Sequence, residues 1–376
     1  LKTFTITHQD GGTQARCGVL QTAHGPVATP VFMPVGTQAT VKAMTPAELV
    51  ELDYQIILGN TYHLFVRPGV ELIERCGGLH RFMGWERALL TDSGGFQVMS
   101  LAKLRKVTDA GVEFQSHLDG TRLFLGPKEA MEIQRRLGAD IAMVLDECPP
   151  YPCDREYACQ AVERTLSWAA LCARQPRADG QWVFGIVQGG VHRDLRERCA
   201  TELVKLGFDG YAIGGVSVGE GPKLIAQGVA DSVEYLPWER PRYLMGVGMF
   251  GQMVAAVACG VDMFDCVTPT RLARHGTAFT RVGRVAIKAA VRKEDQRPIE
   301  EGCGCYACTH FSRAYVRHLL NANEVLGVRL LSMHNLYRFG EFVGEMRAAI
   351  RASTFAEFCE RHRAVDRVAP AAELMD

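Results

Sequence analysis

The 376-residue sequence has no excess of charge: 42 Lys and Arg stand against 42 Asp and Glu. A net charge of zero leaves no global electrostatic footprint for a polyanion, so any nucleic-acid contact must come from a local patch. No apolar run approaches the length of a membrane span. The first ten residues, LKTFTITHQD, alternate as a strand does and lack the long apolar centre of a secretory signal. Low-complexity segments are missing too, as are repeats beyond a strand–helix rhythm. The expectation is a globular cytoplasmic protein with no membrane association. Its 47% hydrophobic content is enough to bury a substantial core.

Cysteine is plentiful by contrast. The 13 cysteines are odd in number, and most are scattered singly in apolar or helical settings: Cys76, Cys159, Cys172, Cys199, Cys259 and Cys359. That pattern reads as free thiols in a reducing compartment. The exception is GCGCYACTH at 302–310, where Cys303, Cys305 and Cys308 fall within six residues. Such crowding suits a metal site, and zinc in a structural site takes four ligands in a tetrahedron. Three histidines offer a fourth ligand: His310, which would make a strained chelate, His318, and His334 after a long apolar stretch.

Short apolar runs recur at 31–36, 55–60, 88–95, 141–147, 182–190, 211–215, 243–248 and 262–267. Each is too short for a helix and too apolar for a half-exposed strand, as befits strands buried on both faces. Helical patterns lie between many of them. TPAELVELD carries Thr45 as an N-cap with Pro46 at the first helical position, and GPKEAMEIQRRLG stops at Gly138. Strand and helix alternating eight times predicts an α/β fold, a (β/α)8 TIM barrel, with an open doubly wound sheet as the alternative. Two segments break the rhythm. Residues 96–126 hold two alternating runs around Asp119-Gly120, a hairpin signal, and 277–335 hold the cysteine cluster. The expected division is a barrel over 1–276 with an N-terminal β segment, a metal-binding subdomain over 277–335, and C-terminal helices over 336–376 that complete the barrel.

Chemistry in such a barrel sits where the strands end. Here they end on Asn60, Asp92, Asp146, Gln188, Gly214-Gly215, Gly246-Val247-Gly248 and Asp265. Aspartate often caps the next helix and glycine often turns the chain, so each residue alone is ordinary. Three carboxylates and two amides on one rim favour a site. A carboxylate accepting two donors, beside bare backbone N–H groups, matches the N1–H, 2-amino and O6 edge of a guanine-like base. Phe96 and Met245 could sandwich the ring, though both also fit a core. Asp92 and Asp265 suggest acid–base and nucleophilic roles at an acetal-like carbon, where bonds break through cation-like transition states. No strand carries a His-x-His, and His63 stands alone, so a metal belongs away from the rim.

These motifs resemble those of the bacterial tRNA-guanine transglycosylase (queuine tRNA-ribosyltransferase) family. LGNTYHL, TDSGGFQVMSL, LDECPPYP, GIVQGG, GGVSVGEG, YLMGVG, FDCVTPTR and CGCYAC carry the likeness over about residues 24–340. It implies an irregular (β/α)8 barrel with a zinc subdomain, and exchange of the wobble guanine of certain tRNAs for a 7-deazaguanine, in most bacteria preQ1. It implies that Asp265 attacks the ribose C1′ and that Asp92 moves protons to and from the bases. Asp146 would accept N1–H and the exocyclic amine, and Gln188 and the Gly215 N–H would donate to O6. Phe96 and Met245 would stack. Glu220 would act on the aminomethyl group through the adjoining peptide, with Ser93, Asn60 and Cys148 lining the pocket. It also selects His334 as the fourth ligand of one structural Zn2+ per chain, and it implies a homodimer.

The sequence departs from the family pattern at Val216-Ser217, often Leu-Ala, and at Ala273-Arg274-His275-Gly276, often Ala-Arg-Asn-Gly. The first places Val216 at the peptide facing the base's side group. Val218 stands where a glycine would admit queuine, the alternative incoming base, so it favours preQ1. Beyond the nucleophile runs a basic strip over 271–297, with Arg271, Arg274, Arg281, Arg284 and Lys288 as expected phosphate contacts. Its target base has to leave the stack to reach the rim. Two competing readings remain. A non-catalytic tRNA-binding subunit would be free to lose Asp92 or Asp265, and a zinc hydrolase would need ligands at the rim.

Overall fold

A computed structural model describes residues 2–101 and 104–362, so the last part of the expected 336–376 segment lies outside the described residues. Eight parallel strands close into a barrel: Val31–Gly36, Ile56–Gly59, Ala88–Thr91, Ile141–Met143, Trp182–Val187, Gly210–Ile213, Arg242–Leu244 and Met263–Cys266. Closure comes from the last strand pairing with the first, Met263 opposite Val31 and Asp265 opposite Met33. The expected barrel, not the open sheet, is what forms. The eight apolar runs mark its strands because side chains on one face fill the interior while those on the other lie under the helices.

Local signals explain the helices. Thr45 and Glu48 form a reciprocal capping box ahead of helix Pro46–Glu51. Gly138, at φ 74°, ends helix Pro127–Leu137 in a left-handed conformation that a side chain would strain. Between the second and third barrel strands the chain makes three short helices, Thr61–Val66, Val70–Arg75 and Gly78–Met83. Pro68-Gly69 and Gly77-Gly78 interrupt what would otherwise be one helix, which is why no helical pattern stands out there. The 96–126 insertion holds the expected hairpin, Gly111–Gln115 against Arg122–Leu125, and a third strand, Arg105–Thr108. That third strand is polar and largely exposed, so it has no alternation to reveal it.

An antiparallel sheet, Thr3–Gln9, Arg16–Thr22 and Gly25–Thr29, packs at the end where the barrel strands begin. Arg16 anchors it with a bidentate, fully buried bond to Asp262 at 2.9 and 2.7 Å. Removing either partner would strand a buried charge, at a cost of ~3–5 kcal/mol. At the same end His24 and His80 stack at 3.7 Å and each places a ring nitrogen on Asp140.

Residues from Ala273 to Leu331 gather a second, smaller apolar cluster that includes the three cysteines. One 27-residue helix, Val325–Arg351, runs from this cluster onto the barrel and crosses position 335 without a break. It packs on the first barrel strand and on helix Thr268–Arg274, so the cysteine segment and the barrel share one rod.

Candidate active site

The strand ends surround a cavity of about 530 Å³ lined by Asn60, Asp92, Ser93, Phe96, Asp146, Cys148, Gln188, Gly215, Val216, Met245 and Asp265, with Arg271 at its edge. Eleven of the expected base-pocket and catalytic residues and the first residue of the basic strip thus share one space.

Asp92 follows the third strand and is 6% exposed. Its Oδ1 accepts from the Thr61 N–H at 2.8 Å, and its Oδ2 accepts from Asn60 and, at 2.8 Å, from Gln97. Burial outweighs these donors and, with the nearby Asp265 charge, pushes its carboxyl up to about 6. Asp265 is half-buried at the end of the eighth strand. Its Oδ1 accepts from the Tyr243 hydroxyl at 2.6 Å and the Gly246 N–H at 2.8 Å, while desolvation raises its pKa. One acid can therefore carry a proton near neutrality, while the other has two donors fixing it toward the cavity.

Asp146 accepts from Ser93 Oγ at 3.0 Å and from Gln188 Nε2 at 2.7 Å, and burial lifts it to about 6. Gln188 is almost fully buried, and among the described residues its Oε1 has no partner. The amide lies so close to Gly214 and Gly215 that a Cβ at Gly215 would sit 2.3 Å from Oε1, and Gly215 has φ 62°. Both features require glycine there. Burial pushes the Cys148 thiol up to about 12. Phe96 is 49% exposed, an open ring face at the cavity mouth.

Glu220 lies behind the next loop. Its two oxygens accept from the Ser217 and Val218 N–H groups at 2.5 and 2.9 Å, fixing the peptides that follow Val216 while Ser217 holds φ 61°.

The basic strip is not uniform. Arg271 and Lys288 are exposed, and the Lys288 stem lies over Gly276. Arg274 keeps a buried Nη1 without a partner among the described residues, and Arg284 is partly buried. Arg281 is committed to Glu341 and Glu300. Asp295 gathers Arg292, Arg297 and Arg313, and those cations hold its carboxyl well below the usual range.

Cys303, Cys305, Cys308 and His334 form a buried cluster able to hold a metal ion. His334 Nδ1 lies 3.7, 3.4 and 3.4 Å from the three sulfurs. Zinc–sulfur and zinc–nitrogen bonds at the tetrahedral angle put sulfur and nitrogen roughly 3.5 Å apart, so the spacing is compatible with zinc. His334 Nε2 faces the Phe279 carbonyl at 2.8 Å, which assigns the proton to Nε2 and leaves Nδ1 for a metal. Asn335 extends the lock: it accepts from the Phe279 N–H and donates to the Pro269 and Thr277 carbonyls. His310 and His318 stay outside the cluster.

Sequence reasoning missed Tyr243, Gln97, Asn335 and Arg196. Tyr243 had a signal: it stands two residues before Met245, on the same strand face. Arg196 had none, because a buried arginine on helix Arg193–Lys205 looks like its exposed neighbours.

Two carboxylates of this kind suit substitution at an acetal-like carbon, which sets the chain among barrel enzymes that transfer glycosyl groups. Comparison with known proteins gives the particular family. The family model described as queuine tRNA-ribosyltransferase matches residues 10–366. Proteins of that name are similar over most of the chain. One from Pelotomaculum thermopropionicum is 56% identical over 355 residues, covering 94% of this chain and 96% of its own. Another, from Symbiobacterium thermophilum, is 54% identical over 94% of this chain and 89% of its own. A third, from Caldanaerobacter subterraneus subsp. tengcongensis, is 52% identical over 95% and 96%. The chain belongs to the queuine tRNA-ribosyltransferase family, and it is a pentosyltransferase, a tRNA-guanine transglycosylase. No helix among the described residues is long and apolar enough to cross a membrane.

Proposed function

We propose that the chain exchanges the wobble guanine of specific tRNAs for preQ1, in queuosine biosynthesis, by two displacements at the ribose C1′. Asp265 attacks C1′ and forms an ester as the bond to guanine breaks, and Asp92 gives its proton to the departing base. Asp92 then takes a proton from the incoming 7-deazaguanine, whose nitrogen attacks C1′ and releases Asp265. Asp146 accepts the base's N1–H and amine. Gln188 exchanges its bond to Asp146 for one to O6, and the Gly215 N–H donates beside it. Phe96 and Met245 cover the two ring faces. Val218 narrows the pocket against larger bases, and Glu220 holds the adjoining peptide toward the aminomethyl group.

The observation that carries this reading is the shared cavity, with Asp92 and Asp265 on its walls and Asp146 with Gln188 beside them. Arg271, Arg274, Arg284 and Lys288 hold the phosphates flanking the flipped nucleotide. Cys303, Cys305, Cys308 and His334 would hold one Zn2+ per chain, and the bound ion would serve as a structural cross-link of the segment. The enzyme works in the cytoplasm as a homodimer, one subunit reacting while the other supports the tRNA.

Incubating protein and tRNA with labelled guanine tests the reaction. Label should enter tRNA with the wild type and not with Asp265→Asn. No incorporation by the wild type would remove the exchange reading. Full activity in Asp265→Asn would remove the nucleophile.

A further inference from the structure

Arg196 is fully buried on helix Arg193–Lys205, yet no carboxylate forms an ion pair with it among the described residues. Carbonyls take the charge instead. Its Nε donates to Gly190 O at 2.6 Å, Nη1 to Gly214 O at 3.2 Å and Ser232 Oγ at 3.1 Å, and Nη2 to Gly214 O at 3.2 Å and Gly215 O at 3.1 Å. These five bonds use every donor of the guanidinium fork. Gly228 makes the room: a Cβ there would lie 3.2 Å from Nε and 3.0 Å from Val216.

The two carbonyls that Nη2 holds belong to the peptides whose nitrogens are Gly215 N and Val216 N. In a trans peptide the N–H points away from the C=O. A cation bound at the oxygen draws electron density from the amide and strengthens the N–H as a donor. The Gly215 N–H lies toward the Cys148 thiol, at the wall of the base cavity. The fork thus stands behind this wall, with the N–H groups on the far side of the same peptides.

We propose that Arg196 is a positioning residue for base recognition: it orients and polarises the Gly215 and Val216 N–H groups toward the carbonyl oxygen of the bound base. This rests on the base-pocket reading above. When the bond from C1′ to the base breaks, its electron pair passes to the ring and part of the charge reaches that oxygen. A cation one peptide away favours this in a water-poor site without touching the substrate.

The test separates bases with and without the carbonyl. In Arg196→Lys the point charge remains but the fork does not. Guanine KM should rise about tenfold or more and kcat should fall, as for loss of charge-assisted hydrogen bonding. The inhibition constant of 2-aminopurine, which lacks O6, should move less than about threefold. Gly228→Ala, which displaces the fork while keeping the arginine, should give the same selective loss on a smaller scale, and it decides the matter if Arg196→Lys does not fold. Equal losses for both bases, or none, would overturn the proposal. Asp146→Asn separates the two readings. If it leaves guanine KM unchanged, the base-pocket reading fails. If it raises guanine KM while the Arg196 and Gly228 variants leave the guanine-to-2-aminopurine ratio alone, only the Arg196 role falls.

Discussion

The Tyr243 hydroxyl donates to Oδ1 of Asp265 at 2.6 Å, so a carboxylate on the eighth barrel strand is aimed by a phenol buried on the seventh. The bond favours the ionised carboxylate and opposes the upward push of desolvation. Tyr243→Phe should therefore raise the Asp265 pKa and move the acid limb of the rate profile to higher pH. Loss of a hydrogen bond to a charged group is worth ~1.5–3 kcal/mol, so kcat should drop about 10-fold to 100-fold. Guanine KM should change far less, because the hydroxyl faces the nucleophile. Steady-state kinetics across pH checks both; an unmoved acid limb would mean that the hydroxyl does not tune Asp265.

In the proposed reading Asp146 links base recognition to stability through pH. Its folded carboxyl keeps a proton to about 6, against an ordinary value of 3.8 for an exposed aspartate. Between those values the folded chain binds the extra proton. Stability is therefore fully present below the lower value and is lost as pH rises through about 6, by ~3 kcal/mol for a shift of about two units. Asp146→Asn removes this dependence. Its stability relative to wild type should improve by ~3 kcal/mol between about pH 4 and about pH 7. Guanine binding runs the other way, weakening in the wild type below about pH 6 as the acceptor is protonated. Denaturant titrations at the two pH values, with guanine KM alongside, check the pair of signs.

The barrel was legible because strands buried on both faces leave apolar runs that no other element here imitates. Asp92 and Asp265 were legible as strand ends, since the barrel assigns a place to that position. The helix Val325–Arg351 was legible only in part: the cysteine segment's lack of barrel rhythm suggests a boundary at 335, although the sequence carries no helix stop there. Spacing left three histidines open for the cysteine cluster. The resemblance selects His334, and the fold of that helix gives the physical reason, bringing its Nδ1 to within 3.7 Å of all three sulfurs. Gln97 and Arg196 act by bracing other groups, and bracing depends on distances that no local pattern records; Tyr243 braces too, and its one signal is its spacing from Met245.

Zinc loss should act at a distance from the chemistry. His334 and Asn335 together hold Phe279, Thr277 and Pro269, and Pro269 lies in helix Thr268–Arg274, which carries Arg271 and Arg274. Stripping the metal with a chelator should loosen that helix and raise the tRNA Kd about tenfold or more, a change of ~1.4 kcal/mol. Binding of the free base should be nearly preserved, because Asp146 and Gln188 follow the fourth and fifth barrel strands, away from that helix. Separate titrations of stripped protein with tRNA and with guanine distinguish these. Full tRNA affinity in a folded, metal-free protein would remove the clamp.

Within the strip Arg271 and Arg281 differ in their surroundings, and that difference is testable. Arg271 is exposed at the cavity edge, whereas Arg281 is held by Glu341 and Glu300. A cation on a phosphate releases counterions when it binds, so its removal flattens the dependence of log K on log salt. Arg271→Ala should weaken tRNA binding and reduce the steepness of that slope by about 1. Arg271→Glu should weaken it further through repulsion. Arg281→Ala should leave the slope nearly unchanged, because in the folded chain its charge is already answered by carboxylates. Binding isotherms at several salt concentrations measure all three. If Arg281→Ala flattened the slope as much as Arg271→Ala, its ion pairs would have to break when tRNA binds, and the grip would extend along the whole strip.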